Sequence, residues 1–324
     1  MFLLTAIGTQ CLAQDINGEK MATASKLMLQ QNYNEAIKVY NDVLAADPAN
    51  IQANYNMAIS LNGAHRQKDA VPYLQKILTL SAGNFMLANT YNFLGGIYDD
   101  SNEPEKAITA YETGIKLQPD YRPLYSNLAT VNFRVKRYDE AEHNAIKALK
   151  LEPKNGSSMR IYALVTFHQN KRAPALLGLC YFLMLEPKGQ KSSEALGNVQ
   201  NIFAGGTLKT EPGQKAAPIN LTQNAVIQSS LKSIANKRYA AASDLLAAQL
   251  TAIVRNLSAL QNDKTETYNA LINYFVKLSQ SGNMQTFARV INQGGNPANA
   301  EWLSANPDKV AAYNQWIATS QLTF

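Results

Sequence analysis

Alanines recur at a nearly constant interval along the first half of this chain. Five of them are separated by 34, 37, 34 and 34 residues: Ala36, Ala70, Ala107, Ala141 and Ala175. Prolines follow the same period with one unit left out, at Pro48, Pro119, Pro153 and Pro187. A fixed period of this length is typical of stacked repeats, in which each unit buries its apolar face against the next. The spacing therefore predicts an array of similar units.

Each unit has the pattern of two helices joined by a tight turn, and the third unit shows it most clearly. One face of its first helix carries residues at i, i+3, i+4 and i+7, namely Tyr91, Leu94, Gly95 and Tyr98. Residues 99–103 interrupt this period, and Pro104 suits the first turn of a second helix. Ala107 and Gly114 then provide small side chains at which the two helices can approach closely.

This order of residues resembles the tetratricopeptide repeat: an aromatic residue, Leu-Gly, Tyr, then Ala, an aromatic residue, a small residue and Pro. The resemblance covers residues 18–188 as five units, about 18–50, 51–84, 85–120, 121–154 and 155–188. It implies an all-α fold, a right-handed superhelix of helix pairs whose first helices line an inner groove. We place the three extra residues of the 37-residue interval in a loop around residues 81–85.

The resemblance also points to candidate partner-binding residues on the first helices. In its register the groove is lined by Tyr55, Asn62, Asn92, Asp99, Asn127, Arg134, Arg160 and His168. Amide and guanidinium groups of this kind can hold the backbone of an extended peptide. One version of the family grips a C-terminal carboxylate with paired Lys and Asn residues, but Met21, Ser25, Tyr55 and Ile59 stand at those positions here. We therefore do not expect this chain to bind a C-terminal carboxylate in that way.

The first residues suggest export. Residues 1–13 contain no charged side chain and end in small residues, which resembles a secretory signal cleaved after Ala13. We expect a periplasmic or envelope-associated protein; without such a signal, the chain would be cytoplasmic. A basic start is missing, and Cys11 raises the alternative of lipidation. Cys180 lies in an apolar run, which favours a small buried thiol.

The remaining residues are predicted to form a cap, a linker and a further helical domain. We assign 189–204 to a capping helix, 205–221 to a linker, and 222–324 to a C-terminal helical domain. Within it, residues 236–250 repeat the pattern of 135–149 and suggest a degenerate helix pair. Further helices are predicted at 265–281, 284–293 and 308–320, with Trp302 and Trp316 as packing residues.

No motif in the sequence indicates catalysis. The three histidines are not at metal-binding spacing, and G-x-S-x-G and phosphate-loop patterns are absent. The net charge is +6, but basic segments such as RVKRYDEAEH contain interleaved acids, so we expect no nucleic acid. We also expect no cofactor, no metal and no transmembrane segment in the mature chain.

The function favoured by the sequence is a non-catalytic scaffold for protein–protein interaction, which binds a protein or peptide partner in the groove. Two alternatives remain: a module that binds an envelope glycan through Tyr and Asn side chains, and an enzyme whose site lies in the C-terminal domain.

Overall fold

A computed structural model describes residues 17–205, 217–260, 265–294 and 296–324. Within these ranges α-helices are the regular secondary structure. They are α1 (17–29), α2 (Tyr33–Ala46), α3 (Ile51–Gly63), α4 (Gln67–Leu78), α5 (Asn84–Asp100), α6 (Pro104–Leu117), α7 (Arg122–Arg134), α8 (Tyr138–Leu151), α9 (Gly156–His168), α10 (Arg172–Leu185), α11 (Gln190–Phe203), α12 (Pro218–Ile234), α13 (Ala242–Ser258), α14 (Glu266–Gln280), α15 (Met284–Ile291), α16 (Pro297–Ala305) and α17 (Pro307–Thr319). The predicted signal, with Cys11, falls outside the described residues.

The chain divides into two compact units, one ending at Val131 and one beginning at Asn132. This division falls inside the fourth predicted repeat, whereas the sequence suggested a division at the linker. Residues 206–216 of that linker lie outside the described part of the chain. Residues 218–221 are not linker, because they form the first turn of α12.

The turn inside each helix pair is built in the same way five times. One non-glycine residue in each turn has a positive φ of 56–63°, and these residues are Gln31, His65, Asn102, Lys136 and Asn170. Their intervals equal those of the alanines, and each stands five positions before one. After α3, the backbone N–H of His65 donates to Asn62 and that of Arg66 donates to Leu61, the paired bonds of a Schellman cap. The turn that ends the first helix of each pair therefore recurs at the same interval as the alanines.

The left-handed turns predict a stabilising substitution. A non-glycine residue with positive φ carries a penalty of about 1–2 kcal/mol that glycine avoids, although glycine loses more backbone entropy on folding. We expect His65→Gly to raise the free energy of unfolding by about 0.5–1 kcal/mol, measured by urea denaturation. His65→Ala, which removes the same exposed side chain but keeps the penalty, is the control. Equal stabilities of the two variants would contradict this account.

The five periodic alanines lie in the core of the helix pairs. All of them are completely buried. In the third repeat Gly95 faces the buried ring of Tyr111, and a Cβ atom placed on Gly95 would lie 2.4 Å from Tyr111 Cε1. The glycine of the Leu-Gly pair on α5 thus leaves space for the ring of Tyr111 on α6.

The 37-residue interval mainly lengthens a helix and not the loop in which we placed the extra residues, because the connection 79–83 is only one residue longer than those at 47–50, 118–121 and 152–155. The first helices α3, α7 and α9 have 13 residues each, whereas α5 has 17. Asn84 and Phe85, which we had placed in the loop, belong to the first turn of α5. The added turn carries Phe85 on the protein surface, with 57% of its area exposed.

In the second unit, α10 is enclosed by other helices. Every residue from Arg172 to Met184 is buried, and α10 packs against α9, α11, α12, α14 and α15. Cys180 is therefore a buried free thiol, as the sequence predicts, and burial raises its pKa to about 12.

The helices after α12 correct two details of the sequence analysis. In the segment 236–250, α13 begins at Ala242, three positions later than the start of α8 in the matching segment. Residues 297–305, which we did not predict as helical, form α16 with Pro297 in its first turn. Both tryptophans pack inside this unit. The Arg289 Cζ atom lies 4.1 Å from the centroid of the Trp302 ring, and the ring centroids of Trp316 and Tyr274 are 5.0 Å apart.

Candidate partner-binding surface

The predicted groove residues are divided between the two compact units. Tyr55 and Asn62 lie on α3, Asn92 and Asp99 on α5, and Asn127 on the part of α7 in the first unit. The second unit contains the other three: Arg134, Arg160 and His168. Each group is described within its own unit.

In the first unit, two asparagines of successive repeats are bonded to each other. The Asn127 Nδ2 atom donates to Asn92 Oδ1 at 2.9 Å, between side chains 35 residues apart in sequence. Both side chains are half-buried, so this bond lies at the surface. It leaves the Asn92 Nδ2 group and the Asn127 Oδ1 atom without a hydrogen-bond partner among the described residues. The two bonded side chains therefore keep one free donor and one free acceptor, and a peptide group needs one of each for its C=O and its N–H.

Two aromatic contacts also involve α5, one with α3 and one with the residue that precedes α7. The rings of Tyr55 and Phe93 meet edge to face with centroids 6.1 Å apart, and those of Phe85 and Tyr121 do so at 5.4 Å. The Tyr121 hydroxyl donates to the Asn89 side chain. Burial raises the pKa of Tyr55, and the nearby Tyr121 raises it further. We call the seven residues together the first-helix surface: Tyr55, Phe85, Asn89, Asn92, Phe93, Tyr121 and Asn127.

Four residues of the first-helix surface were missed by the sequence analysis: Phe85, Asn89, Phe93 and Tyr121. Two of them had a detectable signal, because Asn89 and Phe93 stand three positions before and one position after Asn92, on the same helical face. Phe85 depends on the added turn of α5, and Tyr121 precedes the first residue of α7.

The other predicted residues of the first unit lie apart from this bonding pattern. Asn62 is exposed in the last turn of α3, and Asp99 is half-buried near the end of α5, where it has an interaction with another group. The structure shows neither of them bonded to the asparagine pair.

In the second unit, the predicted residues are engaged by neighbouring helices. Arg160 of α9 forms an ion pair with Glu194 of α11, with 3.1 Å between Nη2 and Oε2. His168 packs against three aromatic rings, those of Phe133, Tyr138 and Phe167. Burial lowers the pKa of His168, which favours the neutral form of its ring. Arg134 is exposed and also interacts with another group.

A separate cleft of about 390 Å³ lies on the opposite face of α5. Tyr91, Leu94 and Tyr98 line it, and at 100° per residue they point away from Asn92 and Phe93. Within the described ranges there is no group of three or more His, Cys, Asp or Glu side chains that could hold a metal ion. No helix in the described part of the chain is both long and apolar enough to cross a bilayer.

Comparison with known proteins identifies the type of repeat. A family model described as "Psidin, N-terminal TPR repeats region" matches residues 26–166. The uncharacterized protein ycf37 of Pyropia yezoensis is 32% identical over 83 residues, which are 26% of this chain and 47% of that protein. Sperm-associated antigen 1 of Rattus norvegicus is 30% identical over 139 residues, which are 43% of this chain and 15% of that protein. The chain thus spans less than half the length of each of these two relatives.

A solved structure has a similar fold. The structure of pilF from Pseudomonas aeruginosa superposes with a TM-score of 0.50 at 17% identity, over 59% of this chain and 90% of that chain. This likeness concerns the fold alone and agrees with the helix pairs and left-handed turns described above. The chain therefore contains tetratricopeptide repeats, which are matched within residues 26–166.

Proposed function

We propose that this protein is a non-catalytic scaffold that binds a protein partner, and that the first-helix surface holds an extended segment of that partner. The bonded pair of Asn92 and Asn127 carries the proposal, because it offers a free amide donor beside a free carbonyl acceptor. An extended peptide presents a carbonyl and an N–H at matching positions, and most of its backbone needs partners when water is excluded. The exposed ring of Phe85 adds apolar contact area beside this site.

The alternative of glycan binding has one observation in its favour, the number of aromatic rings on the first-helix surface. All four rings, however, meet a neighbouring ring edge to face, and only Phe85 among them is largely exposed. We therefore rank a peptide segment above a glycan. Export from the cytoplasm and placement at the cell envelope remain predictions based on residues 1–13.

Substitution of the asparagines tests the proposal. We expect Asn92→Ala and Asn127→Ala each to weaken partner binding by about 1–2 kcal/mol, or roughly 5- to 30-fold, since each removes a ligand bond and deprives the other amide of its partner. The matched control is Asn34→Ala, which changes an exposed asparagine on the second helix α2.

The measurement is affinity capture with three immobilised baits: the wild-type chain, the Asn34→Ala variant and the Asn92→Ala/Asn127→Ala variant. Circular dichroism establishes that all three are folded. A protein retained by the first two baits and lost from the third supports the proposal. Equal retention of a protein by all three baits would mean that the binding surface does not include Asn92 and Asn127. Retention of carbohydrate alone would favour the glycan-binding module.

A further inference from the structure

A second open cleft lies in the unit that begins at Asn132. It has a volume of about 370 Å³ and is formed by the end of α12, by α13 and by the start of α15. Its floor is apolar and made of short or flexible side chains, those of Ile234, Ala247, Ala248, Ala252 and Met284. We call it the α13 cleft. It is distinct from the first-helix surface, which belongs to the other compact unit.

The cleft lies beside a connection between α12 and α13 that is longer than its counterpart in the fourth repeat. The matching segment of the fourth repeat joins α7 to α8 through residues 135–137, whereas residues 235–241 join α12 to α13. Asp139 and Glu140 stabilise the first turn of α8, as acids do at a helix N-terminus, but Ala240 and Ala241 replace them here. Helix α13 therefore starts later, and the preceding loop places Lys237 at the cleft.

The charges at the cleft are mainly positive. Lys237 and Arg255 both line it, both are exposed, and neither forms an ion pair with a described residue. The one acidic group in the lining, Asp244, is already neutralised by Arg289, with 2.6 Å between Oδ1 and Nη2. An apolar floor with an uncompensated basic rim is complementary to a segment that carries apolar and acidic side chains together.

We propose that the α13 cleft binds an acidic, amphipathic segment of a partner protein, whose apolar side chains lie on the alanine floor and whose carboxylates meet Lys237 and Arg255. The small side chains of Ala247, Ala248 and Ala252 leave room for a Leu- or Phe-sized side chain of the partner. This interaction goes beyond the function proposed above, because it uses different residues in the other compact unit. It gives the chain a second, charge-selective contact.

The probe is a displayed library of random 16-residue peptides, selected on the full chain. The leading peptide is then labelled with fluorescein, and its Kd is measured by fluorescence polarisation. We expect the enriched sequences to combine Asp or Glu with Leu, Ile or Phe at helical spacing. Lys237→Glu/Arg255→Glu should weaken binding at least tenfold, and raising the salt concentration should weaken binding to the wild-type chain.

Three further variants separate this surface from others. Lys191→Glu/Lys277→Glu makes the same change in net charge at exposed positions outside the cleft, and should leave the Kd unchanged. Ala248→Phe fills the floor and should weaken binding without a change in charge. Asn92→Ala/Asn127→Ala should have no effect, so a failure of the first-helix surface would not be mistaken for a failure of this one.

Several results would overturn the proposal. These are enriched peptides without an acidic excess, no enrichment at all, or equal binding by the charge-reversed chain and its control. If the library yields nothing but vesicles containing phosphatidylserine bind the wild-type chain and not Lys237→Glu/Arg255→Glu, the cleft faces a membrane surface and the proposal of a protein partner is wrong.

Discussion

Replacement of Gly95 by alanine is expected to lower the free energy of unfolding by about 2–3 kcal/mol, although alanine is the better helix former. The added Cβ would lie 2.4 Å from Tyr111 Cε1 and 2.7 Å from two further atoms of the same ring. Tyr111 is only 2% exposed, so its ring cannot move out into solvent without leaving the core. Burial also raises the pKa of its hydroxyl.

The neighbouring glycine provides the control for this prediction. A Cβ added to Gly96 would meet a single atom, the Tyr111 hydroxyl oxygen at 3.9 Å. The same change at that position should therefore raise the free energy of unfolding by up to about 1 kcal/mol, the usual gain for glycine to alanine inside a helix. Urea denaturation, with hydrogen exchange of the α5 and α6 amides as a local probe, would measure both variants. Destabilisation of similar size in both would show that the contact with Tyr111 is not the cause.

The second large effect is expected from Arg289→Met in the other unit. Arg289 is 6% exposed, donates from Nη2 to Asp244 and packs on the Trp302 ring at 4.1 Å. Its removal leaves the largely buried Asp244 carboxylate without its cationic partner, and loss of one member of such a pair costs about 3 kcal/mol or more. Thermal denaturation followed by circular dichroism should show a clearly lower midpoint.

Two companion variants make this prediction specific. Lys150→Met breaks the exposed ion pair of Lys150 with Glu266 and should cost less than about 1 kcal/mol. Arg289→Met/Asp244→Leu replaces both members of the pair by apolar side chains and should recover much of the loss. A double variant as unstable as Arg289→Met alone would mean that the stacking on Trp302 is what matters, and that the unpaired carboxylate is not.

The repeat architecture could be predicted from the sequence because the same contact recurs. Each periodic alanine is completely buried, and each follows a left-handed turn residue by five positions. The same short sequence pattern therefore specifies the same turn and the same buried position in all five repeats. The residues after α11 lack that redundancy. There, Pro218, Pro297 and Pro307 each stand in the first turn of a helix, as Pro104 does. From the sequence, Pro218 was assigned to the linker and the other two prolines lay outside the predicted helices, because no neighbouring repeat showed the register.

The candidate site was predictable in part for a different reason. Both Asn92 and Asn127 were predicted individually as groove residues of their first helices, although they stand 35 residues apart and the repeat interval here is 34. Their hydrogen bond, and the contact of Phe85 with Tyr121, depend on how helices pack and on the extra turn of α5. Those are tertiary properties, and a periodic pattern carries no information about them.

The enclosure of α10 has a consequence for how proteins of this type can change in length. Tetratricopeptide arrays grow or shrink by duplication or loss of whole repeats, and a new repeat needs an open helical face on which to stack. Helix α10 has no such face left, because α11, α12, α14 and α15 already occupy it. A further helix pair could therefore not stack on α10 unless these helices were displaced.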